Sequence, residues 1–256
     1  MLGKTALVTG AAGGIGAAVV RALAAEGAAV AAVDVDAEAL QLRVKALVAE
    51  GHRVRAFAAD VSTAASVDAA VDAAERELGP LRYLVNAAGV LRPGPVTECS
   101  EHEWNTTFAV NTTGVFQVSR AVALRMIPRR EGAIVTVASN AATLPRHGMA
   151  AYAASKAAAA SFTKSLGLEL AEHGIRCNVV APGTTETPMI ASLYTDADAL
   201  RATIEGMPAS YRVGIPLRKL ATPEDIADAV LFLLSERAAH ITLHDLTVDG
   251  GAGLGR

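Results

Sequence analysis

Cysteine is almost missing from this chain, which has two in 256 residues, Cys99 and Cys177. Neither stands in a CxxC or metal-ligand spacing, so neither marks a redox pair or a cysteine-ligated zinc site, and no metal is expected. Cys177 lies in the apolar run Ile175–Val180 and reads as a small core residue; Cys99 reads as part of a loop. This usage is consistent with a reduced compartment, and a cytoplasmic protein is expected. Long apolar runs are missing too. No uncharged stretch exceeds 16 residues, and the first of that length, Thr5 to Val20, is rich in glycine. A membrane-spanning helix needs about 20 apolar residues. Lys4 followed by apolar and small residues has the outline of a signal peptide, but the stretch makes better sense as a strand and a phosphate loop. Neither charge is in large excess. A net charge of −3 suits neither a nucleic-acid nor an anionic-membrane surface. There are no repeats, linkers or charge blocks, and the alanine-rich segments read as helix propensity.

What the chain does have is apolar content, 52% against 19% charged residues. At this length that suits one α/β domain over residues 1–256 with a large core. Thr5–Thr9 is a short apolar strand. The glycines Gly10, Gly13, Gly14 and Gly16 follow, then a helical pattern with Ile15, Val19 and Leu23 on one face. Strand, glycine loop and helix form a phosphate-binding unit. Glycines let the backbone approach a pyrophosphate, and the helix N-terminus offers free N–H groups. The spacing Gly-x-x-x-Gly-x-Gly departs from the commoner Gly-x-Gly-x-x-Gly, and a glycine cluster alone also suits a plain tight turn. The second strand, Ala28–Val33, leads into Asp34-Val35, with Asp34 18 residues past Gly16. A carboxylate there bonds ribose hydroxyls and repels a 2′-phosphate, which points to NAD over NADP. No arginine directly follows to rescue a 2′-phosphate. Asp36 is assigned as the cap of a helix running to about Glu50.

Further strands over about 52–59 and 81–85 end in Asp60-Val61 and Asn86-Ala87-Ala88-Gly89, with a helix over about 66–78 between them. This alternation argues for a doubly wound parallel sheet of the Rossmann type, with ligands at the carboxyl ends of the strands. Ser139 ends another apolar run, Ala133–Ala138. Asp34, Asp60, Asn86 and Ser139 all fall at such ends, and that coincidence outweighs any one motif. Ser100 to Glu103 is a capping box, and Asn111 opens or interrupts the next helix. The sixth strand ends in Pro182-Gly183-Thr184-Thr185-Glu186-Thr187, and residues 189–211 read as a mobile helical flap. Thr222-Pro223 starts a further helix, and a last strand is expected over Ile241–Val248.

Tyr152 and Lys156 are four apart in an alanine-rich segment, so both lie on one helix face. A free phenol has a pKa of about 10, too high for a base at neutral pH, and a neighbouring ammonium pulls it down. Lowering it by about 2–3 units takes roughly 3–4 kcal/mol of differential interaction. Ser139 would add a hydroxyl beside the phenol. Alone, a Tyr and a Lys at this spacing are commonplace.

In chain order, Thr9 to Gly16, Asp60, Asn86-Ala-Ala-Gly89, Asn111, Ser139, Tyr152-x-x-x-Lys156 and Pro182-Gly-x-x-x-Thr187 resemble the motifs of the short-chain dehydrogenase/reductase family, over nearly the whole chain. Ala87 stands where that family usually has a second Asn, a change that sheet-end packing should tolerate. The resemblance implies roles. Tyr152 is the general base, Lys156 lowers its pKa and holds the nicotinamide ribose, and Ser139 orients the substrate oxygen. Asn111 positions a water, and Thr187 meets the carboxamide of NAD. Gly10, Gly13, Gly14, Ile15, Gly16, Asp34, Val35, Asp60, Val61, Asn86, Ala87, Gly89, Pro182, Gly183 and Thr185 complete the implied coenzyme site. A homotetramer built through the helices around Asn111 and Tyr152 and the last strand is implied as well.

Runs such as Pro145–Met149 and Arg176–Gly183 narrow the likeness to family members that oxidise a cyclohexadiene diol carboxylate to a catechol for siderophores. A buried carboxylate wants a cation or several donors. Arg146 is the expected partner, with Arg92 second, the Thr184 hydroxyl assisting and Met149 beside them; the plain alternative is an Arg146 facing solvent or an oligomer contact. His147 is expected to be exposed. The competing readings are the 2-amino analogue of that substrate, a sugar or 3-oxoacyl-thioester reductase, and a non-catalytic NAD-binding sensor. A sensor would usually have lost the tyrosine or the lysine, and both are present.

Overall fold

The apolar runs become β1 (Thr5–Thr9), β2 (Ala29–Asp34), β3 (Val54–Ala58), β4 (Leu81–Asn86), β5 (Gly132–Val137), β6 (Ile175–Pro182) and β7 (Asp245–Val248). The structure is a computed structural model that describes residues 1–191 and 197–255. Its strands form one parallel sheet in the order β3-β2-β1-β4-β5-β6-β7. The direction of winding reverses between β1 and β4, which leaves a crevice at the carboxyl ends of those strands. β1 and β5 are buried along their whole length, hence their unbroken apolar character.

The helices are α1 (Gly14–Ala25), α2 (Ala37–Ala49), α3 (Ala64–Leu78), α4 (Glu101–Phe108), α5 (Gly114–Met126), α6 (Ala150–Ala171), α7 (Pro188–Ala191), α8 (Ala197–Glu205) and α9 (Pro223–Leu234). Val19 and Leu23 of α1, Leu40 and Leu47 of α2, and Ile226 and Leu233 of α9 pack on one face of the sheet. Val71 and Leu78 of α3, Val122 and Met126 of α5, and Leu170 of α6 pack on the other. Each such side chain, fully buried, contributes about 1.5–3 kcal/mol.

Local signals placed the helix ends. Asp36 Oδ1 accepts the Ala39 N–H at 3.0 Å and caps α2. Ser100 with Glu103, and Thr222 with Asp225, form capping boxes at α4 and α9. Between α4 and α5, residues 109–113 form a π-helical turn around Asn111, the interruption expected there. The last strand is shorter than the expected 241–248. Asn178 Nδ2 donates to the Ile241 carbonyl (2.9 Å) and its Oδ1 accepts the His244 N–H (3.0 Å), while Leu243 sits at φ 62°. A side chain and a left-handed turn thus occupy the backbone groups, and pairing starts only at Asp245. Within the expected flap, α7 and α8 are helical, and residues 192–196 lie outside the described residues. Cys177 is a core residue whose thiol burial pushes up to about 12; Cys99 is in a loop. Among the described residues no helix is long and apolar enough to cross a membrane.

Candidate active site

The glycine loop is held by backbone. Thr9 Oγ1 accepts the N–H groups of Ala87 (3.1 Å) and Ala88 (3.2 Å), tying the end of β1 to the end of β4. The joint has no spare room. A Cβ on Gly10 would lie 2.8 Å from the Ala87 carbonyl oxygen, and one on Gly16 would lie 2.1 Å from the Gly10 carbonyl oxygen. Gly13 differs: a Cβ there would meet nothing within 4 Å. It caps α1, so the open space lies over a helix N-terminus, where the dipole and free N–H groups favour a phosphate. At the end of β2, Asp34 Oδ2 accepts the Ala12 N–H (2.9 Å) and Oδ1 the Asp36 N–H (3.1 Å). Its carboxylate is thereby fixed in the cleft wall beside the exposed Val35.

A cleft of ≈350 Å³ runs along these strand ends. It gathers Gly10, Gly13, Gly14, Ile15, Gly16, Asp34, Val35, Asp60, Val61, Ala87, Gly89, Ser139, Tyr152, Lys156, Pro182, Gly183, Thr185 and Thr187, as the motifs imply. It also takes in Ala59, Ala88, Val90, Val110, Val137, Ala138, Pro188, Met189 and Ile190. Those are small or apolar residues with no chemical signature, and apart from Ala88, inside the Asn86–Gly89 run, no motif marks them. Asn86 is the exception among the expected coenzyme residues. Its Nδ2 donates to Ser119 Oγ (2.9 Å) and Thr136 Oγ1 (3.3 Å), so the side chain is buried against α5 and not in the cleft. Side chains alternate faces along a strand, and the end-of-strand position passes to Ala87.

Tyr152 and Lys156 lie one turn apart near the start of α6. Lys156 Nζ donates to the Val137 carbonyl (2.9 Å) and stands 5.8 Å from the Tyr152 ring centroid. Ser139 Oγ, just past β5, accepts the Ala141 N–H at 3.1 Å. Asn111 Oδ1 accepts the Val90 N–H (2.8 Å), and its Nδ2 donates to the Val90 carbonyl (2.9 Å) and to Ser155 Oγ (3.0 Å). Both amide hydrogens are thus engaged and Oδ1 keeps one lone pair. A Cβ on Gly89 would come within 3.2 Å of Lys156 Nζ and 3.3 Å of Asn111 Oδ1, so glycine keeps that corner open.

Burial dominates the electrostatics. It raises the Tyr152 phenol above its ordinary value, and the neighbouring Ser139 hydroxyl pulls the other way. It brings Lys156 down to about 8. The lowering of the phenol expected from Lys156 is therefore not found here, and burial sets the direction. The ammonium is spent on a carbonyl, while the phenolate would be desolvated. A buried phenol, amine and hydroxyl so close together can move a proton to or from one substrate oxygen.

From Ser139 and Tyr152 a smaller cavity of ≈80 Å³ opens, lined by Leu91, Met149, Ile190 and Ile215 with Arg146, Thr184 and Arg212. Arg146, Met149 and Thr184 thus meet as expected. Arg92 does not: it is exposed and its charge acts on Glu103. Leu91 faces the cavity, which turns its neighbour outward. Arg212, which no motif marks, supplies a second guanidinium instead. Arg146 is held below its ordinary value by burial and by the charge of Arg212, with Asp249 opposing. His147 is exposed.

The family model described as short chain dehydrogenase matches residues 4–198. Over 253 residues the chain is 57% identical to a 2,3-dihydro-2,3-dihydroxybenzoate dehydrogenase of Bacillus subtilis, covering 99% of this chain and 97% of that one. It is 44% identical over 253 residues to the protein of the same name from Escherichia coli, covering 99% and 98%. Among solved structures, levodione reductase superposes with a TM-score of 0.93 at 29% identity, covering 100% of both chains.

Proposed function

This chain belongs to the short-chain dehydrogenase family, and we propose that it oxidises 2,3-dihydro-2,3-dihydroxybenzoate to 2,3-dihydroxybenzoate with NAD, a step of siderophore biosynthesis. The observation that carries this reading is a juxtaposition. The hydroxyls of Ser139 and Tyr152 open onto a cavity whose wall holds the half-buried guanidinium of Arg146. A reacting ring alcohol and a carboxylate on the same ring fit those two features together.

The cleft fits a dinucleotide. Gly13 leaves the space a pyrophosphate needs, and Asp34, anchored by two N–H groups, supports ribose recognition and disfavours a 2′-phosphate. Thr187 lines the same cleft beside Gly14, which supports its reading as the partner of the carboxamide. A bound nicotinamide supplies the hydride acceptor.

The residues of this chain supply the rest. Ser139 donates a hydrogen bond to the oxygen of one ring hydroxyl and orients it. Tyr152 takes the proton from that oxygen as the ring C–H leaves as hydride. Lys156 holds the nicotinamide ribose and favours the phenolate. Asn111 fixes the Val90 segment against Lys156 and has one lone pair for the water of a proton path. Holding the reacting atoms in line replaces an improbable encounter by a first-order step. The ring ketone so formed tautomerises to an aromatic catechol, which drives oxidation. Phe116, Leu124 and Leu168, apolar and exposed on α5 and α6, support a homotetramer joined through these helices.

The test is a substrate panel followed by the reduced-nicotinamide absorbance. Turnover with NAD should be best for the dihydroxy ring carboxylate, with its 2-amino analogue, a neutral ring diol and a sugar alcohol below it. A sugar alcohol turned over as well as the ring carboxylate would overturn the reading.

A further inference from the structure

The wall of the smaller cavity carries a cation that neither the motifs nor the mechanism uses. We propose that Arg212 is a specificity-determining residue that binds the substrate carboxylate together with Arg146, so that the anion is held by two guanidinium groups. The proposal rests on the reaction given above.

Arg146 lies in the loop that leads into α6, and Arg212 lies in the hairpin that follows α8. Both reach the cavity that Ser139 and Tyr152 open onto. Each is half-buried, and the charge of Arg212 acts directly on Arg146. Among the described residues neither guanidinium has an ion-pair or hydrogen-bond partner. The carboxylate that Arg146 senses, Asp249, is committed elsewhere: Oδ2 accepts from Asn140 Nδ2 (3.1 Å) and Oδ1 from the Gly251 N–H (2.9 Å). Two cations therefore face one shared space, and among the described residues no carboxylate pairs with either. Like charges brought out of water repel, and a bridging carboxylate offsets both the repulsion and the desolvation. Guanidinium forks match a carboxylate's two oxygens.

The backbone shows that this position is built. Met207 N donates to the Arg212 carbonyl (2.8 Å) and Arg212 N to the Met207 carbonyl (3.1 Å). Gly206 sits at φ +104°, and a Cβ on it would lie 2.8 Å from the Arg212 carbonyl oxygen. Ile215 N donates to the Ile204 carbonyl of α8 at 2.8 Å, and a Cβ on Gly214 would lie 2.6 Å from that oxygen. The hairpin is thus riveted to the end of α8, and Arg212 takes its place from that helix. Val213 and Ile215 flank it and give the ring an apolar wall.

The test uses full-length Arg212→Gln and Arg212→Lys with NAD, on the ring carboxylate and on a neutral ring diol. A second readout is calorimetric binding of 2,3-dihydroxybenzoate to the NADH-loaded protein. Arg212→Gln should raise KM for the carboxylate, and the Kd of 2,3-dihydroxybenzoate, by roughly 10- to 100-fold. The neutral diol and the melting temperature should hardly move, and Arg212→Lys should recover part of the loss. In the Arg146→Gln/Arg212→Gln double variant the two losses should fall short of adding, because the residues share one anion. Equal losses on both substrates, or none on either, would overturn the proposal. If the parent protein fails to turn over the ring carboxylate, the reaction is wrong. Arg212 is then judged by 2,3-dihydroxybenzoate: binding that Arg212→Gln weakens upholds the role, and no binding, or binding that it leaves intact, removes it.

Discussion

At the coenzyme end of the cleft, backbone meets backbone. Thr9 binds two N–H groups of the β4 loop, Gly10 and Gly16 admit no Cβ, and Asp34 is clamped by two more N–H groups. At the substrate end, single side chains from two distant segments, Arg146 and Arg212, converge on a cavity about a quarter as large, ≈80 against ≈350 Å³. The first region is over-determined and rigid, because each contact is repeated by a neighbour. The second has, among the described residues, two cations without a side-chain partner, the arrangement that the proposed carboxylate would complete. A region of the first kind fails in stability when altered; one of the second kind fails in selectivity.

The hinge between the two regions is Tyr152, which borders both cavities. Tyr152→Phe should give the largest effect, a loss of about 10²- to 10⁴-fold in kcat, the usual contribution of a general base. Coenzyme affinity by fluorescence titration should stay near the parent value. Turnover at the parental rate would break the comparison at its centre. The sign of the pH dependence follows from the same residue. Burial holds the phenol above its ordinary value and the base form must be present to act, so parental kcat for oxidation should climb as pH rises into the alkaline range. In Tyr152→Phe that rise should vanish.

Gly16→Ala comes next and tests rigidity. Its Cβ would meet backbone oxygen at 2.1 Å, with no flexible side chain to yield. Such overpacking costs about 1–3 kcal/mol or more. At this chain length that lowers the melting temperature by roughly 2–4 °C per kcal/mol. Calorimetry should show the drop together with weaker coenzyme binding. An unchanged melting temperature would mean that the loop is looser than its contacts indicate.

The smallest effect, Asp34→Asn, sharpens the contrast by touching selectivity at the rigid end. Removing one negative charge while keeping the shape should lower the preference for NAD over NADP by about tenfold, on the order of 1.4 kcal/mol. The ratio of kcat/KM for the two coenzymes measures it. An unmoved ratio would place the discrimination elsewhere in the cleft.

Legibility in the sequence followed the same division. The glycine loop, the carboxylate after β2 and the Tyr152–Lys156 pair were readable because their geometry is local. A fixed spacing on a strand, turn or helix already sets the relative positions. The Ser100–Glu103 capping box, the helix start at Thr222-Pro223 and the break at Asn111 were readable for the same reason. Asn86 was not, because the face a strand end presents depends on what packs beneath it, here Ser119 and Thr136. Arg92 and Arg212 exchanged parts for a related reason. Either arginine has the chemistry, and only the loop path puts one against Glu103 and the other into the cavity. The start of β7 depended on Asn178, more than 60 residues away in the chain.

The amino-acid sequence by itself determined the order of strands and helices, the phosphate loop and the proton-transfer pair. Each of these rests on periodicity, steric freedom or a few residues' spacing, and such constraints act between near neighbours. Only the tertiary structure decided which arginine faces the smaller cavity, that the Asn86 side chain turns away from the cleft, and that burial sets the direction in which the Tyr152 phenol is shifted. Charge and solvent exposure are properties of the space around a group, and that space is assembled from segments far apart in the chain.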